Sequence, residues 1–379
     1  MQMLRSCPVH NVQTYGLSHG LDHPYLRLCS ECTCEVLHMH GGAATDVDAH
    51  NLQQQQKKKF YGEYQDGSII TVAQIVDSRI VALNHNKVNV WEIAAGKWVK
   101  QPTFPKFAVM DDIMRCVTVM KDGRIITGSW NGTVKVWGKS DLDEWTLKNT
   151  LDEHTDCVYC VAELPDGRIV SGSRDNTVKV WRVWRELDSG VVYKCESTLD
   201  HDNSVMSVAV MPDGRIVSGS LNTVNVWSFN KTINRWERDQ ELSTITDSGW
   251  VYSVAVMPDG RIVSGSQDKM VNVWRETSPH HHYVSKKWWL EESIGGHTDS
   301  VYCVAVMPDG RIVSGSKDMT VKIWREGDAW EGDYTLEHIN DVMSVAVMPD
   351  GRIVSGSEDN TVNVWKFDTN RYRRVVKLI

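Results

Sequence analysis

One nine-residue segment, PDGRIVSGS, occurs unchanged at Pro165, Pro212, Pro258, Pro308 and Pro349. KDGRIITGS at Lys121 is a close variant, and VDSRIVALN at Val76 is a worn one. Each copy leads into a segment that ends on tryptophan: Trp91, Trp137, Trp181, Trp227, Trp274, Trp324 and Trp365, spaced 41 to 50 residues apart. A period of that length marks stacked units, none of which can bury its apolar face alone. It also accounts for an odd composition. The chain has 16 Trp but only 5 Phe, and seven of those tryptophans hold one repeat position.

Each unit reads as strands, as residues 297–336 illustrate. Val301-Tyr302-Cys303-Val304-Ala305-Val306 is a continuous apolar run, the pattern of a strand buried on both faces. Pro308-Asp309-Gly310 is a tight turn: Pro presets φ, Asp bonds its own backbone and Gly accepts positive φ. Arg311–Ser314 forms a second strand. Lys317-Asp318-Met319 turns again, and Thr320–Trp324 alternates polar and apolar residues as a third strand. A weaker segment, Tyr334–Leu336, supplies a fourth. The repeats show no helical period. Four strands per roughly 45 residues describe one blade of a β-propeller.

With these units in view, the chain resembles the WD-repeat β-propeller family over about residues 64–379, although the usual Asp after Trp is mostly absent. The resemblance implies an all-β, seven-bladed β-propeller of four-stranded WD-type blades. Ring closure has two solutions. Tyr372–Ile379 can be the outer strand of the last blade, or Phe60–Gln65 can supply a fastening strand. The family also implies a buried chain of His, Ser, Asp and Trp within a blade. His154, Ser171, Asp175 and Trp181 match it, as do His297, Ser314, Asp318, Trp324 and His338, Ser355, Asp359, Trp365. The fourth copy keeps His201, Ser218 and Trp227 but has lost the Asp at Leu221-Asn222. The fifth keeps Ser264, Asp268 and Trp274 and has Asp247 in place of the His. His, Ser and Asp together suggest hydrolase chemistry. Their recurrence blade after blade argues instead for a structural network around the indole N–H.

By the same analogy, the inter-blade loops and the turns between second and third strands share one face, where the family usually binds partners. Arg115, Tyr159, Met206, Tyr252, Tyr302 and Met343 follow the first apolar residue of the inner strand, at the mouth of the central channel. Tyr and Met suit a protein or peptide contact, although such residues can also simply pack together. Trp130 and Trp250 fall in loops of this face and could anchor a partner or bury against a neighbouring loop. Asp111, Asp112, Asp156, Asp202, Asp247, Asp299 and Asp341 make the face acidic, offset in part by Arg174 and Lys317. The Arg cluster of a phosphopeptide receptor is absent, so a basic or neutral segment fits better, unless the aspartates only form turns. On the opposite face Arg79, Arg124, Arg168, Arg215, Arg261, Arg311 and Arg352 could meet phosphate or pair with nearby carboxylates. His280-His281-His282 reads as part of a solvated inter-blade loop.

The first 50 residues differ. They hold 4 of the 9 Cys and 6 of the 14 His. Cys7-x2-His10 and Cys29-x2-Cys32 have the paired spacing that clasps one tetrahedral zinc ion. The wider pattern resembles the B-box zinc module, which implies one site from Cys7, His10, Cys29 and Cys32 and a second, interleaved one from His19, Asp22, His38 and His40. The second set departs from that family: His19 replaces a common Cys, and the last two His lie too close. So short a segment needs its metal to fold; the alternative is a His/Cys-rich arm without metal. The expected organisation is therefore a zinc-binding module at 1–50, a Gln/Lys linker at 51–63 and the propeller at 64–379. Residues 1–59 hold 5 basic and 5 acidic residues, so the formal charge of −8 belongs to the propeller.

That charge argues against general nucleic-acid binding, no apolar run could span a membrane, and no secretory signal opens the chain. The expected setting is cytoplasmic or nuclear. The expected function is a non-enzymatic protein–protein interaction scaffold with zinc as structural cofactor. Alternatives are a substrate or ubiquitin receptor, by fold-level analogy, a nucleic-acid-associated scaffold working through Lys57–Lys59 and the arginine ring, and a hydrolase, for which no unique acid/base set is present. The full-length protein is expected to carry zinc that Cys7→Ser removes; metal analysis that finds none in the unsubstituted protein would sink the module.

Overall fold

The computed structural model describes residues 69–378 apart from 75–78, 85–86, 95–96, 102–112, 141–143, 188–189, 244–248 and 278–287. The chain divides into two units, Met1–Tyr64 and Gln65–Ile379, and the described residues belong to the second. They form 28 strands in seven four-stranded antiparallel sheets. The blades cover 69–100, 114–151, 158–200, 207–243, 251–294, 301–337 and 342–378. Each is a meander whose first strand is innermost, and the inner strands neighbour one another around the whole ring. This is the predicted seven-bladed propeller.

The last strand, Arg371–Leu378, pairs with Val362–Asp368 as the outer strand of blade 7, whereas Phe60–Gln65 lies outside the described residues. Among the described residues every blade is one continuous run of chain, with no strand shared between blades 7 and 1. Met348, Val354, Val362, Val364 and Leu378 bury against Ile80, Ala82 and Trp91 at that seam. Seven such clusters occupy the seven seams.

The repeat residues divide the work of one seam. The glycine of the SGS segment is where the next blade docks. A Cβ on Gly265 would lie 2.7 Å from Val301 Cγ1, and one on Gly315 2.6 Å from Val342 Cγ1. The serine before the glycine accepts the indole N–H of the blade-closing tryptophan, at 2.8 Å for Trp181–Ser171 and Trp324–Ser314 and 2.7 Å for Trp365–Ser355. The serine after it donates to a carbonyl of the inter-blade loop, as Ser173 does to Asp156 and Ser316 to Asp299.

The histidine networks tie the inter-blade loop to the turn between strands two and three. In blade 3, His154 Nε2 is 2.8 Å from Ser171 Oγ and Nδ1 is 2.7 Å from Asp175. In blade 6, His297 lies 2.7 Å from Ser314 and 2.8 Å from Asp318. Blade 7 departs from the matched pattern. His338 keeps Ser355 at 2.7 Å, but its Nδ1 is 3.6 Å from Asp359. Asn363 stands where blades 3 and 6 carry Lys179 and Lys322, and its amide nitrogen lies 3.2 Å from that Nδ1. Blade 4 solves its lost Asp the same way, with Asn225 3.2 Å from His201.

On the opposite face, six arginines hold the aspartate of their own turn: Arg124–Asp122, Arg168–Asp166, Arg215–Asp213, Arg261–Asp259, Arg311–Asp309 and Arg352–Asp350. Each guanidinium also lies 5.5–5.9 Å from an aromatic ring of the next blade: Tyr193, Trp236, Trp288, Trp330, Tyr372 and, across the closing seam, Trp98. Carboxylates and rings, rather than phosphate, thus occupy these side chains, and each cation–π contact contributes about 0.5–2 kcal/mol. The rings open the outer strands. In all seven blades the aromatic residue pairs with the residue two beyond the closing tryptophan. Trp98, Trp145, Trp236, Trp288 and Trp330 are therefore a second structural class of tryptophan.

Two measurements test this account. Gly265→Ala is expected to lose about 1–3 kcal/mol by overpacking, read as a lower urea midpoint; an unchanged midpoint would refute the docking role. Burial, with Arg238 nearby, holds the His201 pKa down to about 4 from its ordinary 6.5, against the pull of Asp202. Below pH 6.5 the unfolded chain takes up this proton before the folded one does. Stability is then full above pH 6.5 and falls as the pH drops toward 4. His201→Gln should shrink the difference in urea midpoint between pH 7 and pH 5, and an equal difference in both proteins contradicts the assignment.

Candidate functional site

The inner strands carry the side chains at the channel mouth, and a local irregularity aims them. In blade 6, Val301 pairs with Ser316 and Cys303 with Gly315, so Tyr302 is left out of the ladder. Arg115, Tyr159, Tyr252 and Met343 are skipped in the same way. Blade 1 repeats the irregularity at Ile70. In blade 4, Met206 immediately precedes the inner strand, and its N–H donates to the Gly219 carbonyl at 2.9 Å. A β-bulge bends the strand and re-aims the extra residue. Six of the seven inner strands thus carry a bulge at the head, with Met206 in the matching place ahead of the blade 4 strand.

Arg115, Tyr159, Met206, Tyr252, Tyr302 and Met343 are all half-buried. Tyr252 and Tyr302 meet edge to face at 5.3 Å between ring centroids. The Arg115 guanidinium lies 5.2 Å from the Trp130 ring. Trp250 is half-buried and bridges to Leu221 of the preceding blade, and its N–H donates to Gln267 Oε1 at 3.2 Å. These residues therefore touch neighbours and keep exposed surface at once.

Trp130, Arg174 and Lys317, already singled out on this face, share one repeat position with Leu221, Gln267 and Glu358, which were not. The residue after each SGS is Arg174, Leu221, Gln267, Lys317 or Glu358, and Trp130 follows TGS. In five of these six blades its N–H donates to the carbonyl two residues ahead of the bulge: Trp130 to Ile113, Arg174 to Cys157, Gln267 to Trp250, Lys317 to Ser300 and Glu358 to Asp341. It therefore stands beside the bulge residue. The signal was available, because this position differs in every copy while its neighbours hardly change. Ile339, 78 % exposed in the loop ahead of blade 7, and Met319, 45 % exposed, were also missed. They adjoin, since the His338 N–H donates to the Met319 carbonyl.

The rim is acidic on blades 6 and 7. Burial raises the Asp341 pKa, with Asp299 adding to the rise and Lys317 opposing it. Burial and Asp341 raise that of Glu358, again against Lys317. On blade 3, Arg174 lies 3.6 Å from Asp156. Asp111, Asp112, Asp247 and His280–His282 lie outside the described residues. The histidine run falls between the third and outer strands of blade 5, and so within a blade rather than between blades. The zinc candidates Cys7, His10, Cys29, Cys32, His19, Asp22, His38 and His40 also lie outside the described residues. Among the described residues no group of three His, Cys, Asp or Glu could hold a metal. Cys116, Cys157, Cys160 and Cys303 are thiols whose pKa burial pushes up, to about 12 for Cys157 and Cys303. Such thiols are poor nucleophiles at neutral pH.

Six stretches, 110–138, 145–182, 193–228, 239–275, 288–325 and 333–366, match the WD40 family model, WD domain, G-beta repeat. From the second stretch on, each match starts at or within an outer strand and ends within the third strand of the next blade. Blade 1 lies outside the matched stretches yet is built to the same plan. No curated protein matches the chain. Among solved structures, the crystal structure of the WD40 beta propeller domain of Doa1 is similar, with a TM-score of 0.64 and 22 % identity, covering 80 % of this chain and 94 % of that one. With six matched repeats spanning more than half of its length, the chain belongs to the WD40 repeat family.

Proposed function

We propose that the protein is a non-enzymatic interaction scaffold whose channel-mouth face receives a segment of a partner protein. The observation that carries this reading is the bulge at the head of the inner strands, which presents Arg115, Tyr159, Tyr252, Tyr302 and Met343 at one rim. Half-buried Tyr and Met offer large apolar area and are enriched at protein interfaces. Trp130 and Trp250 extend the surface outward. The acidic rim on blades 6 and 7 favours a neutral or basic segment over an acidic one. The Cys/His-rich N-terminal residues would add a zinc-dependent second contact.

The test is affinity capture from cell extract with quantitative mass spectrometry, comparing the full chain with Tyr252→Ala/Tyr302→Ala and including ubiquitin as a separate probe. Capture of the chief partner should fall about 10–30-fold, while the thermal midpoint moves by only a few degrees. Undiminished capture would dismiss the face. A collapse of thermal stability would assign the two tyrosines to packing.

A further inference from the structure

The arginine ring on the opposite face is not uniformly satisfied. In the seam between blades 4 and 5, Glu276 takes both terminal nitrogens of Arg215, at 3.0 and 2.8 Å. In the seam between blades 5 and 6, Glu326 does the same for Arg261, at 2.8 and 2.6 Å, and Glu291 adds a third carboxylate. Glu276 and Glu326 are the residues two beyond the closing tryptophan, opposite the outer-strand ring. In blade 7 that place belongs to Phe367, opposite Tyr372. Phe229 holds it in blade 4, but there Arg168 already has Glu196 at 2.7 Å.

The seam between blades 6 and 7 therefore lacks the carboxylate that its two predecessors have. Arg311 gives Nε and Nη2 to Asp309, its Nη1 lies 3.5 Å from Asp333, and its guanidinium contacts Tyr372. Arg352 gives Nε to Asp350, and its terminal nitrogens have no hydrogen-bond partner among the described residues. A cavity of about 320 Å³ opens at this seam, lined by both arginines, Lys366, Phe367, Tyr372 and Met307 among others. Lys366 is exposed and has no acidic partner among the described residues. Phe367 is 43 % exposed. Arg311, Arg352 and Lys366 thus lie near Asp309, Asp350 and, 3.5 Å from Arg311, Asp333, beside the rings of Phe367 and Tyr372.

We infer that this seam binds an acidic segment of a partner protein, with a glutamate side chain entering where Glu276 and Glu326 sit in the neighbouring seams and an adjacent apolar residue lying on Phe367. The ring itself supplies the precedent, since the same guanidinium setting takes a two-point carboxylate bond twice. The cavity volume suits one or two side chains. The site is separate from the channel mouth and opposite in charge preference, so it stands or falls independently of that face.

The test pans a displayed random heptapeptide library against the full chain, with counter-selection on Phe367→Glu, and measures the enriched peptides by fluorescence anisotropy. Enriched peptides should carry Glu beside an apolar residue, and Gln in its place should weaken them at least about tenfold. Phe367→Glu restores the missing carboxylate from within the chain. It should keep or raise the thermal midpoint and abolish binding. Lys366→Glu, on the exposed strand surface, should abolish binding with an unchanged midpoint, and it reads the site even if Phe367→Glu folds poorly. Failure to enrich acidic peptides, or equal binding by the unsubstituted chain and Lys366→Glu, would overturn the inference.

Discussion

The inner-strand valine of one blade sits on the second-strand glycine of the blade before it, and this contact sets the spacing of the ring. Gly128, Gly172, Gly219, Gly265 and Gly315 each leave no room for a Cβ against Val158, Val205, Val251, Val301 and Val342. Close approach there brings the tryptophan of one blade over the apolar face of the last. A sheet of four short strands cannot stand alone; seven of them, each covering the next, bury a continuous core.

The two faces of the ring are fastened by different chemistry. On one, in blades 3, 4, 6 and 7, a histidine of the inter-blade loop bonds a second-strand serine and an aspartate of the turn or an asparagine of the third strand. On the other, arginine is gripped by its own turn and laid on the next blade's ring, so the fastening crosses the seam. The first arrangement leaves a rim that varies from blade to blade. The second is nearly uniform, and its departures from uniformity are what give the seam between blades 6 and 7 its character.

Much of this was legible in the repeat. The PDG turn, the alternating third strand and the closing tryptophan announce themselves because each depends on residues within a few positions of one another. The outer-strand aromatics were not legible. Trp98 follows its closing tryptophan by 7 residues and Trp288 by 14, because the hairpin between third and outer strands varies in length. Only the pairing register shows that they hold one place. Asp359 matched the network by spacing and stays 3.6 Å from His338, while Asn363, which spacing did not reveal, lies nearer at 3.2 Å.

By itself the sequence determined the number of blades, their strands and the chemistry available to each repeat position, because these follow from local turn and strand preferences copied seven times. Tertiary structure decided that Arg371–Leu378 completes the last blade, which tryptophans serve the seams, where the bulges fall and which seams carry a second carboxylate. Those outcomes depend on groups from different blades, and the distances between such groups exist only once the ring is packed.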